Sequence, residues 1–258
     1  MDLATGGAPR SFSDRVLRLL ERVEHRVAKA AAEREAAFRL RSEAYQKNGV
    51  LHRRDGDRLY DPRYDDAPNA WITTTFIDGE LAGTVRVNLG VDEDAILPGL
   101  QVFSDILGPK LAARQVIAEF TRLAARLSLS GTHPELAYIV MRPAFMAAQH
   151  FDADFAIGTP RAEHIAFYRR TFGATPWCPP RDYPGVTAKI ACVGADYRFA
   201  RIMIESRYLF CKSEPSEREA LFGPSRGPSS GSVRRSRAED LSADSFSGIL
   251  HARSTEPA

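Results

Sequence analysis

The sequence predicts a mixed α/β fold, because segments of helical and of strand periodicity alternate along the chain. Its 258 residues are 44% hydrophobic and 26% charged, which is typical of a globular protein with a buried core. Asp78-Gly79 lies between two apolar runs and is a strong signal for a β-hairpin. These observations favour one large or two small domains in which helices pack on a sheet.

Two helices and a short strand are predicted before the hairpin. Apolar residues at helical spacing between 16 and 23, with Ser13 as the N-cap, predict the first helix. Residues 23–27 alternate as a strand does, although their neighbours favour a helix. Apolar residues between 36 and 45 predict a second helix, which Asn48-Gly49 can end. The hairpin strands follow at 70–77 and 81–89.

The alternation continues through the second half of the chain. Prolines and glycines between 98 and 109 predict a loop, and residues 116–123 predict a strand. A helix is expected over 134–150, where Pro143 either kinks it or shifts its start. A strand at 151–157, a helix at 161–172 closed by Gly173, and a strand at 186–193 complete the order.

The chain divides into three parts by composition. Residues 213–258 are rich in Ser, Pro, Gly and charge, so we expect a disordered tail, within which a short helix at about 215–222 is allowed. Residues 1–22 are interpreted as an N-terminal helical extension. The folded domain is therefore predicted to span 23–212.

Several protein classes are disfavoured by the sequence. No apolar run approaches the ~20 residues of a membrane span, and the N-terminus lacks a secretory apolar segment. Cys178, Cys192 and Cys211 show no metal-ligand spacing, and the net charge of +2 does not suggest nucleic-acid binding. We expect a cytoplasmic protein without a metal site.

The first candidate site is the segment from Glu119 to Arg122. On a strand, Glu119 and Thr121 share one face, and Phe120 and Arg122 share the other. A carboxylate beside a cleft can take a proton from an amine nucleophile. The alternative is a structural pair between Glu119 and Arg122.

The second candidate lies in the helix that contains His164 and Tyr168. Tyr168 can place a phenol beside a reaction centre, where a proton donor helps to expel a thiolate. The alternatives are a half-buried tyrosine at the sheet edge and a packed or surface histidine. Arg169 and Arg170 follow, either as solvated charge or as contacts for an acidic carrier protein.

Three arginines form the third candidate. Arg39 and Arg41 lie on different faces of their helix, and Arg86 in the hairpin can join one of them against a carboxylate. The alternative is surface salt bridging. Since the chain has no GxGxxG, GxxxxGK[ST] or HExxH motif, nucleotide-binding and zinc-protease functions have no support.

Taken together, six sequence blocks are more specific than any single motif. They are AAFRLRSEAY, YDPRYDDAPNA, GELAGTVRV, VFSDILGPKL, VIAEFTRLAA and the long block from HPELAYIV to RRTFGA. Over about residues 23–197 they resemble the long-chain N-acyl amino acid synthases, which are GNAT-type acyltransferases related to acyl-homoserine lactone synthases. The resemblance implies a mixed, mostly antiparallel sheet flanked by helices, whose middle strands, 116–123 and 151–157, splay apart around a pantetheine arm.

The resemblance also implies the donor. CoA-using relatives carry a glycine-rich pyrophosphate loop where this chain reads SGTHPEL. The expected donor is therefore an acyl carrier protein bearing 4′-phosphopantetheine, with CoA as the alternative, and no tightly bound cofactor is expected. Lys110, Arg114, Arg169 and Arg170 would form the carrier patch.

The implied reaction moves a long-chain fatty acyl group from the thioester to the α-amine of an amino acid. By position in the family motif, Glu119 would be the base, Tyr168 the acid, and the backbone near Arg122 the oxyanion site beside a bulge. The remaining residues implied for the substrates are Arg39, Arg41 and Arg86 for the acceptor carboxylate, and Tyr138, Met141, Phe145 and Phe155 for the acyl tail.

Two alternatives stay open at this point. One is an acyl-homoserine lactone-type synthase using S-adenosylmethionine, which is disfavoured because Asn48-Gly49 stands where those enzymes have a tryptophan. The other is a non-catalytic acyl-binding scaffold. The sequence leaves open peripheral membrane association, the acceptor amino acid, the chain length and the oligomeric state.

Overall fold

Seven strands form one mixed sheet in residues 11–49 and 57–224, the part of the chain that the computed structural model describes. In chain order they are β1 (Val23–Val27), β2 (Ala70–Ile77), β3 (Glu80–Gly90), β4 (Ile117–Ala125), β5 (Phe155–Gly158), β6 (Thr175–Pro176) and β7 (Val193–Asp196). They lie in the order β1-β2-β3-β4-β5-β7-β6, and only β4 and β5 run parallel. The predicted mixed, mostly antiparallel sheet is confirmed.

Helices cover both faces of this sheet. They are α1 (Phe12–Leu20), α2 (Ala31–Lys47), α3 (Pro62–Asp65), α4 (Leu100–Ala112), α5 (Leu127–Ser130), α6 (Leu136–His150), α7 (Ile165–Phe172), α8 (Tyr197–Arg207) and α9 (Pro215–Phe222). Val85 and Val87 of β3 pack with α6, whereas Arg86 and Asn88 point to α3 on the other face. The alternation of β3 therefore separates an apolar side of the sheet from a polar side.

The hairpin between β2 and β3 has the predicted turn. Asp78 and Gly79 both have positive φ, 51° and 83°, as a two-residue type I′ turn requires, and Ile77 pairs with Glu80. Farther along β3, a Cβ atom on Gly83 would lie 2.2 Å from Val140 of α6. Gly83 therefore allows α6 to pack closely on the strand.

The two middle strands separate after four residue pairs. Residues 117–120 of β4 pair with Phe155–Gly158, and β5 ends there. β4 continues to Ala125 along β3, without a β5 partner. The splayed middle strands predicted by the resemblance are therefore present, and the gap opens beside residues 121–125.

A β-bulge lies on β4 next to this gap. Thr84 pairs with Ala124 and Arg86 pairs with Thr121, so two residues, Arg122 and Leu123, stand opposite Val85 alone. Arg122 has a φ of 56°, in the left-handed region. The bulge expected at residues 122–124 is thus present, and it locally breaks the alternation of side chains along the strand.

Helix α4 occupies a segment that was predicted to be a loop. Phe103, Leu107 and Leu111 recur every four residues and are fully buried, and the helix is kinked at Phe103. The prediction was wrong because it followed the helix-breaking signals of Gly108 and Pro109. The buried apolar stripe outweighs them.

The later strand boundaries also differ from the prediction. Phe151 ends α6, so β5 begins only at Phe155 and not at residue 151. The strand expected at 186–193 is wrong, because Ile190 forms only isolated bridges and the paired strand is Val193–Asp196. The sequence interpretation did not identify α3 or α8.

Both ends of the described chain pack on the domain. Val16 and Leu19 bury the first helix on the core, and Ser11 caps it instead of the predicted Ser13. The allowed helix at 215–222 is present as α9, and its Phe222 contacts Trp71 and Phe151. Residues 213–222 are therefore folded, which corrects the tail boundary at 213. Residues 225–258 lie outside the described residues.

None of the helices in residues 11–49 and 57–224 is both long enough and apolar enough to cross a membrane.

We expect Arg142→Leu to lower the free energy of unfolding by about 3 kcal/mol, measured by urea denaturation. The buried Arg142 donates hydrogen bonds to the carbonyl oxygens of Phe210 (2.7 Å) and Lys212 (2.8 Å) and to Glu217 Oε2 (2.9 Å). The matched control is Glu217→Gln, which changes a half-exposed partner and should cost less than about 1 kcal/mol. Equal losses would contradict the importance of the carbonyl contacts.

Candidate active site

Five charged or amide side chains are buried together on the polar side of the sheet. They come from different elements and are Arg41, Asp65, Arg86, Asn88 and Glu119. Charged groups are rarely buried unless they are paired, because removing them from water costs several kcal/mol each. Their partners therefore decide what the cluster can do.

Glu119 is 0% exposed and only half satisfied. Its Oε2 accepts a hydrogen bond from the backbone N–H of Gly99 at 3.0 Å, and its Oε1 has no partner among the described residues. Burial raises the pKa of this carboxyl to about 7, against the opposing effects of the Gly99 N–H and the Arg86 charge. The group can therefore both accept and release a proton near neutrality.

The start of α4 sets the position of this carboxyl. Gly99 precedes the helix, and a Cβ atom there would lie 3.1 Å from Glu119 Oε1 and 2.9 Å from Leu107.

The sequence alternative of a structural Glu119–Arg122 pair is wrong, since the described residues contain no ion pair between them.

Asp65 neutralises part of the buried positive charge. Its Oδ1 accepts hydrogen bonds from Arg41 at 2.8 Å and Arg86 at 3.1 Å, and Arg86 Nε donates to Thr121 Oγ1 at 3.0 Å. Burial alone would raise the pKa of Asp65, but the two arginines outweigh it and hold that pKa low. Burial lowers the pKa of Arg41 to about 10, so both partners remain ionised at neutral pH.

This geometry corrects the sequence interpretation of the three arginines. Arg86 joins Arg41, and the carboxylate between them is the chain's own Asp65. Arg39 lies on the exposed side of α2, paired with Glu35 at 3.0 Å, and is not part of the cluster. Arg39 and Arg41 are two positions apart on α2, so only one of the two side chains can face the sheet.

Further buried polar atoms on this side of the sheet have no hydrogen-bond partner among the described residues. They are Asn88 Oδ1, the Tyr64 hydroxyl and the Nε and Nη2 atoms of Arg41. Asn88 stands directly opposite Glu119 in the β3–β4 pairing, so the two side chains share a face. Donors and acceptors are thus both available to a polar ligand here.

Arg122 is turned toward this side of the sheet by the bulge. Its guanidinium lies 5.9 Å from the ring centroid of Tyr45 on α2, whereas Phe120 packs against Phe145 of α6. The prediction that Arg122 and Phe120 share a face is therefore wrong, because the extra residue breaks the alternation. Among the described residues no carboxylate lies within 4 Å of Arg122.

Tyr168 stands where the middle strands part. A Cβ atom on Gly158 would lie 3.5 Å from Cε1 of Tyr168, so the ring packs over the end of β5. Burial of the hydroxyl raises its pKa strongly, and the nearby Tyr45 raises it further. The phenol stays protonated, and Tyr45, Arg122 and Tyr168 gather at the gap. His164 is exposed and contacts Arg161 instead.

A narrow apolar cavity lies on the other side of the gap. Met141 and Phe145 of α6 line it together with Gly158, Tyr168 and Phe172. Its open volume of about 30 Å³ is the room of roughly one water molecule, so a fatty acyl chain requires these side chains to move.

The other predicted substrate and carrier residues lie elsewhere. Tyr138 belongs to an aromatic cluster with Phe12 and Phe167. Phe155 faces a surface groove, where Lys110 Nζ stands 3.8 Å from its ring centroid. The remaining carrier candidates are exposed at the ends of two helices: Arg114 after α4, and Arg169 and Arg170 in the last turn of α7.

Sequence reasoning missed five residues of the site: Tyr45, Tyr64, Asp65, Asn88 and Gly99. A polar loop signal was visible around Asp65. Asn88, two residues after Arg86 on β3, was a further clue to a buried polar side of the sheet.

Comparisons with known proteins agree with this fold. A family model described as N-acyl amino acid synthase FeeM matches residues 36–196, more than half of the chain. The solved structure of FeeM, an N-acyl amino acid synthase from uncultured soil microbes, is 20% identical with a TM-score of 0.60, and the match covers 72% of this chain and 98% of that one.

Two further solved structures are similar at lower scores. TofI, in a ternary complex with an inhibitor and MTA, is 19% identical with a TM-score of 0.50, and the match covers 76% of this chain and 99% of that one. MesI, a CoA-dependent acyl-homoserine lactone synthase, is 21% identical with a TM-score of 0.49, and the match covers 70% of this chain and 88% of that one. A search of curated protein sequences found no match. On the family match, the chain belongs to the FeeM family of N-acyl amino acid synthases and is an N-acyltransferase.

Proposed function

We propose that the chain transfers a long-chain fatty acyl group from the thioester of an acyl carrier protein to the α-amine of an amino acid. The observation that carries this proposal is Glu119: a fully buried carboxyl with a free oxygen and a pKa of about 7, on the strand that borders the gap between β4 and β5. A base of this strength suits an amine nucleophile near neutral pH.

The acceptor amine approaches as an ammonium ion. Glu119 Oε1 accepts a proton from it, and Asn88 Oδ1, on the same face, accepts a second hydrogen bond. The neutral amine then attacks the thioester carbonyl, so a C–N bond forms and the C–S bond breaks. Glu119 passes this first proton to solvent, accepts the second proton from the nitrogen of the tetrahedral adduct, and returns that proton to the departing thiolate, directly or through water.

The developing anion is stabilised where the strands part. Because β4 has no β5 partner beyond Phe120, backbone N–H groups of residues 121–125 can face the thioester. Tyr168 lies at the same point. Its raised pKa lies above that of a thiol, so the phenol would donate a hydrogen bond to the anion instead of giving up its proton, which refines the acid role expected from the sequence.

The acceptor carboxylate is assigned to Arg122. Arg41 and Arg86 together carry one more charge than Asp65 removes, and Arg122 adds another cation without a carboxylate partner. A carboxylate that is bound here would be attracted by all three guanidinium groups. The amine and carboxylate of one amino acid could then be held between Glu119 and Arg122, which are three residues apart on β4.

The acyl tail would enter the apolar cavity through the gap, with Met141 and Phe145 as its lining. Each buried CH₂ group contributes about 0.8 kcal/mol, which favours long chains. The carrier patch of Lys110, Arg114, Arg169 and Arg170, and the choice of carrier protein over CoA, stay predictions.

The decisive experiment is a product assay with the full-length chain. Palmitoyl-acyl carrier protein or palmitoyl-CoA is incubated with an amino acid mixture or with S-adenosylmethionine, and the products are identified by mass spectrometry. We expect an N-acyl amino acid from the carrier protein. Release of methylthioadenosine would instead indicate the lactone-synthase alternative, and binding of the carrier without any product would favour the scaffold.

Glu119→Gln should lower kcat/KM at least about a hundredfold, because the amide cannot accept the ammonium proton. In the wild type, kcat/KM should rise with pH through about 7, since the deprotonated carboxyl is the active form. The control is Glu93→Gln on an exposed loop, which should leave kcat/KM and its pH dependence unchanged. An inflection near 7 that persists in Glu119→Gln would contradict the assignment.

Arg122→Gln should raise KM for the amino acid at least about tenfold and leave KM for the acyl thioester nearly unchanged. A lost charge-assisted bidentate contact explains this selectivity. Steady-state kinetics with each substrate varied in turn separates the two constants. Arg39→Gln, on the exposed side of α2, is the matched control. An equal rise in both KM values would argue against carboxylate recognition by Arg122.

A further inference from the structure

Helix α8 leaves a row of apolar side chains in water. Phe199 is 74% exposed, Ile202 67% and Met203 44%, and their spacing of three and four residues places them on one side of the helix. Leu209 follows at 50%. These four residues are called the α8 face. An apolar patch of this kind marks an interaction surface.

The α8 face lies beside a groove in the protein surface. It borders a groove of about 440 Å³, which Phe199 and Met203 line together with Phe155 and Trp177. Ala195 and Ala200 line both this groove and the apolar cavity beside Tyr168. If that cavity takes the acyl tail, as the proposed function holds, the tail would lie beside the groove that the α8 face borders.

The charged groups around the α8 face are mostly basic. Arg207 lies at its edge and donates a hydrogen bond to the carbonyl oxygen of Arg170 at 3.1 Å, with Arg169 beside it on α7. Among the described residues, none of these three arginines has a carboxylate within 4 Å. They are exposed and retain their charge for a partner.

The other charges on α8 and its neighbours are already paired. Asp196 Oδ1 caps the helix by accepting hydrogen bonds from two backbone N–H groups. Glu205 lies 3.8 Å from Arg201, and Arg198 pairs with Asp152 and Asp154. On the far side of the groove, Lys110 adds another positive charge. The surroundings of the α8 face are therefore apolar at the centre and cationic at the rim.

We propose that the α8 face docks on an anionic lipid bilayer, with Phe199 and Ile202 among the acyl chains and Arg170 and Arg207 at the head groups. Apolar side chains flanked by arginines on a surface helix are the arrangement that binds such an interface. A second copy fits less well, because a two-fold contact would bring the same arginines close to each other. An acidic carrier protein would complement the arginines, but its charged side chains would face the apolar residues at the centre of the α8 face.

The test is sedimentation of the full-length chain with vesicles, in the absence of substrate. We expect binding to vesicles of phosphatidylcholine mixed with phosphatidylglycerol, weak binding to phosphatidylcholine alone, and release by salt. The double variant Phe199→Ser/Ile202→Ser should lower the partition coefficient at least about tenfold. Arg170→Gln/Arg207→Gln should weaken binding to the anionic vesicles only.

Val91→Ser is the matched control, because Val91 is 45% exposed on the loop after β3 and is not part of the α8 face. This variant should sediment as the wild type does. Circular dichroism verifies that each variant is folded. Absence of wild-type binding to both vesicle types, or unchanged binding of Phe199→Ser/Ile202→Ser, would overturn the proposal. The proposal would also be overturned if the wild type were a dimer that Phe199→Ser/Ile202→Ser converts to monomers. It would be overturned as well if this variant lost binding to the carrier protein while its binding to vesicles stayed unchanged. Since no turnover is measured, failure here leaves the proposed reaction untouched, and failure of the product assay leaves vesicle binding untouched.

Discussion

The separation of β4 from β5 is the constraint on which the rest of the molecule depends. The parallel pairing stops after four residues, at the point where Gly158 ends β5, while β4 continues along β3. On one side of the gap lie the buried polar groups around Glu119, and on the other lies the apolar cavity, which Tyr168 helps to line. The proposed transfer from an amphipathic thioester to a polar amine would need both environments to meet at one carbonyl carbon. The polar and the apolar environment lie next to each other at this gap.

The polar side shows how a fold can hold charge away from water. Asp65 forms ion pairs with both Arg41 and Arg86, so the interior keeps a limited excess of positive charge. Glu119 has no such counterion in direct contact and receives one backbone N–H, so its carboxyl is only partly stabilised as an anion. Pairing keeps the pKa of one carboxyl low, and burial brings that of the other close to neutrality. A single cluster thereby contains a fixed charge and a group that can exchange a proton.

The order of most elements was predictable, because local signals coincide with tertiary packing there. Asp78-Gly79 favours a tight turn, and a register shift of one residue would move Val85 and Val87 off the core side. The site was less predictable. The orientation of Arg122 follows from one extra residue opposite Val85, and the partner of Arg86 follows from the position of α3; neither is visible in the spacing of side chains. Helix α4 was missed because its apolar stripe overrides its own glycine and proline.

The anchoring of the chain after α8 has a practical meaning for anyone who shortens this protein. The guanidinium of Arg142 projects from the helix that lines the apolar cavity and holds the backbone at Phe210 and Lys212, while α9 packs beyond it on α6 and β1. A version cut at residue 212 would retain the whole sheet, yet it would leave α6 without its outer support. A shortened version should therefore be designed to extend through Phe222, so that the wall of the apolar cavity keeps its shape.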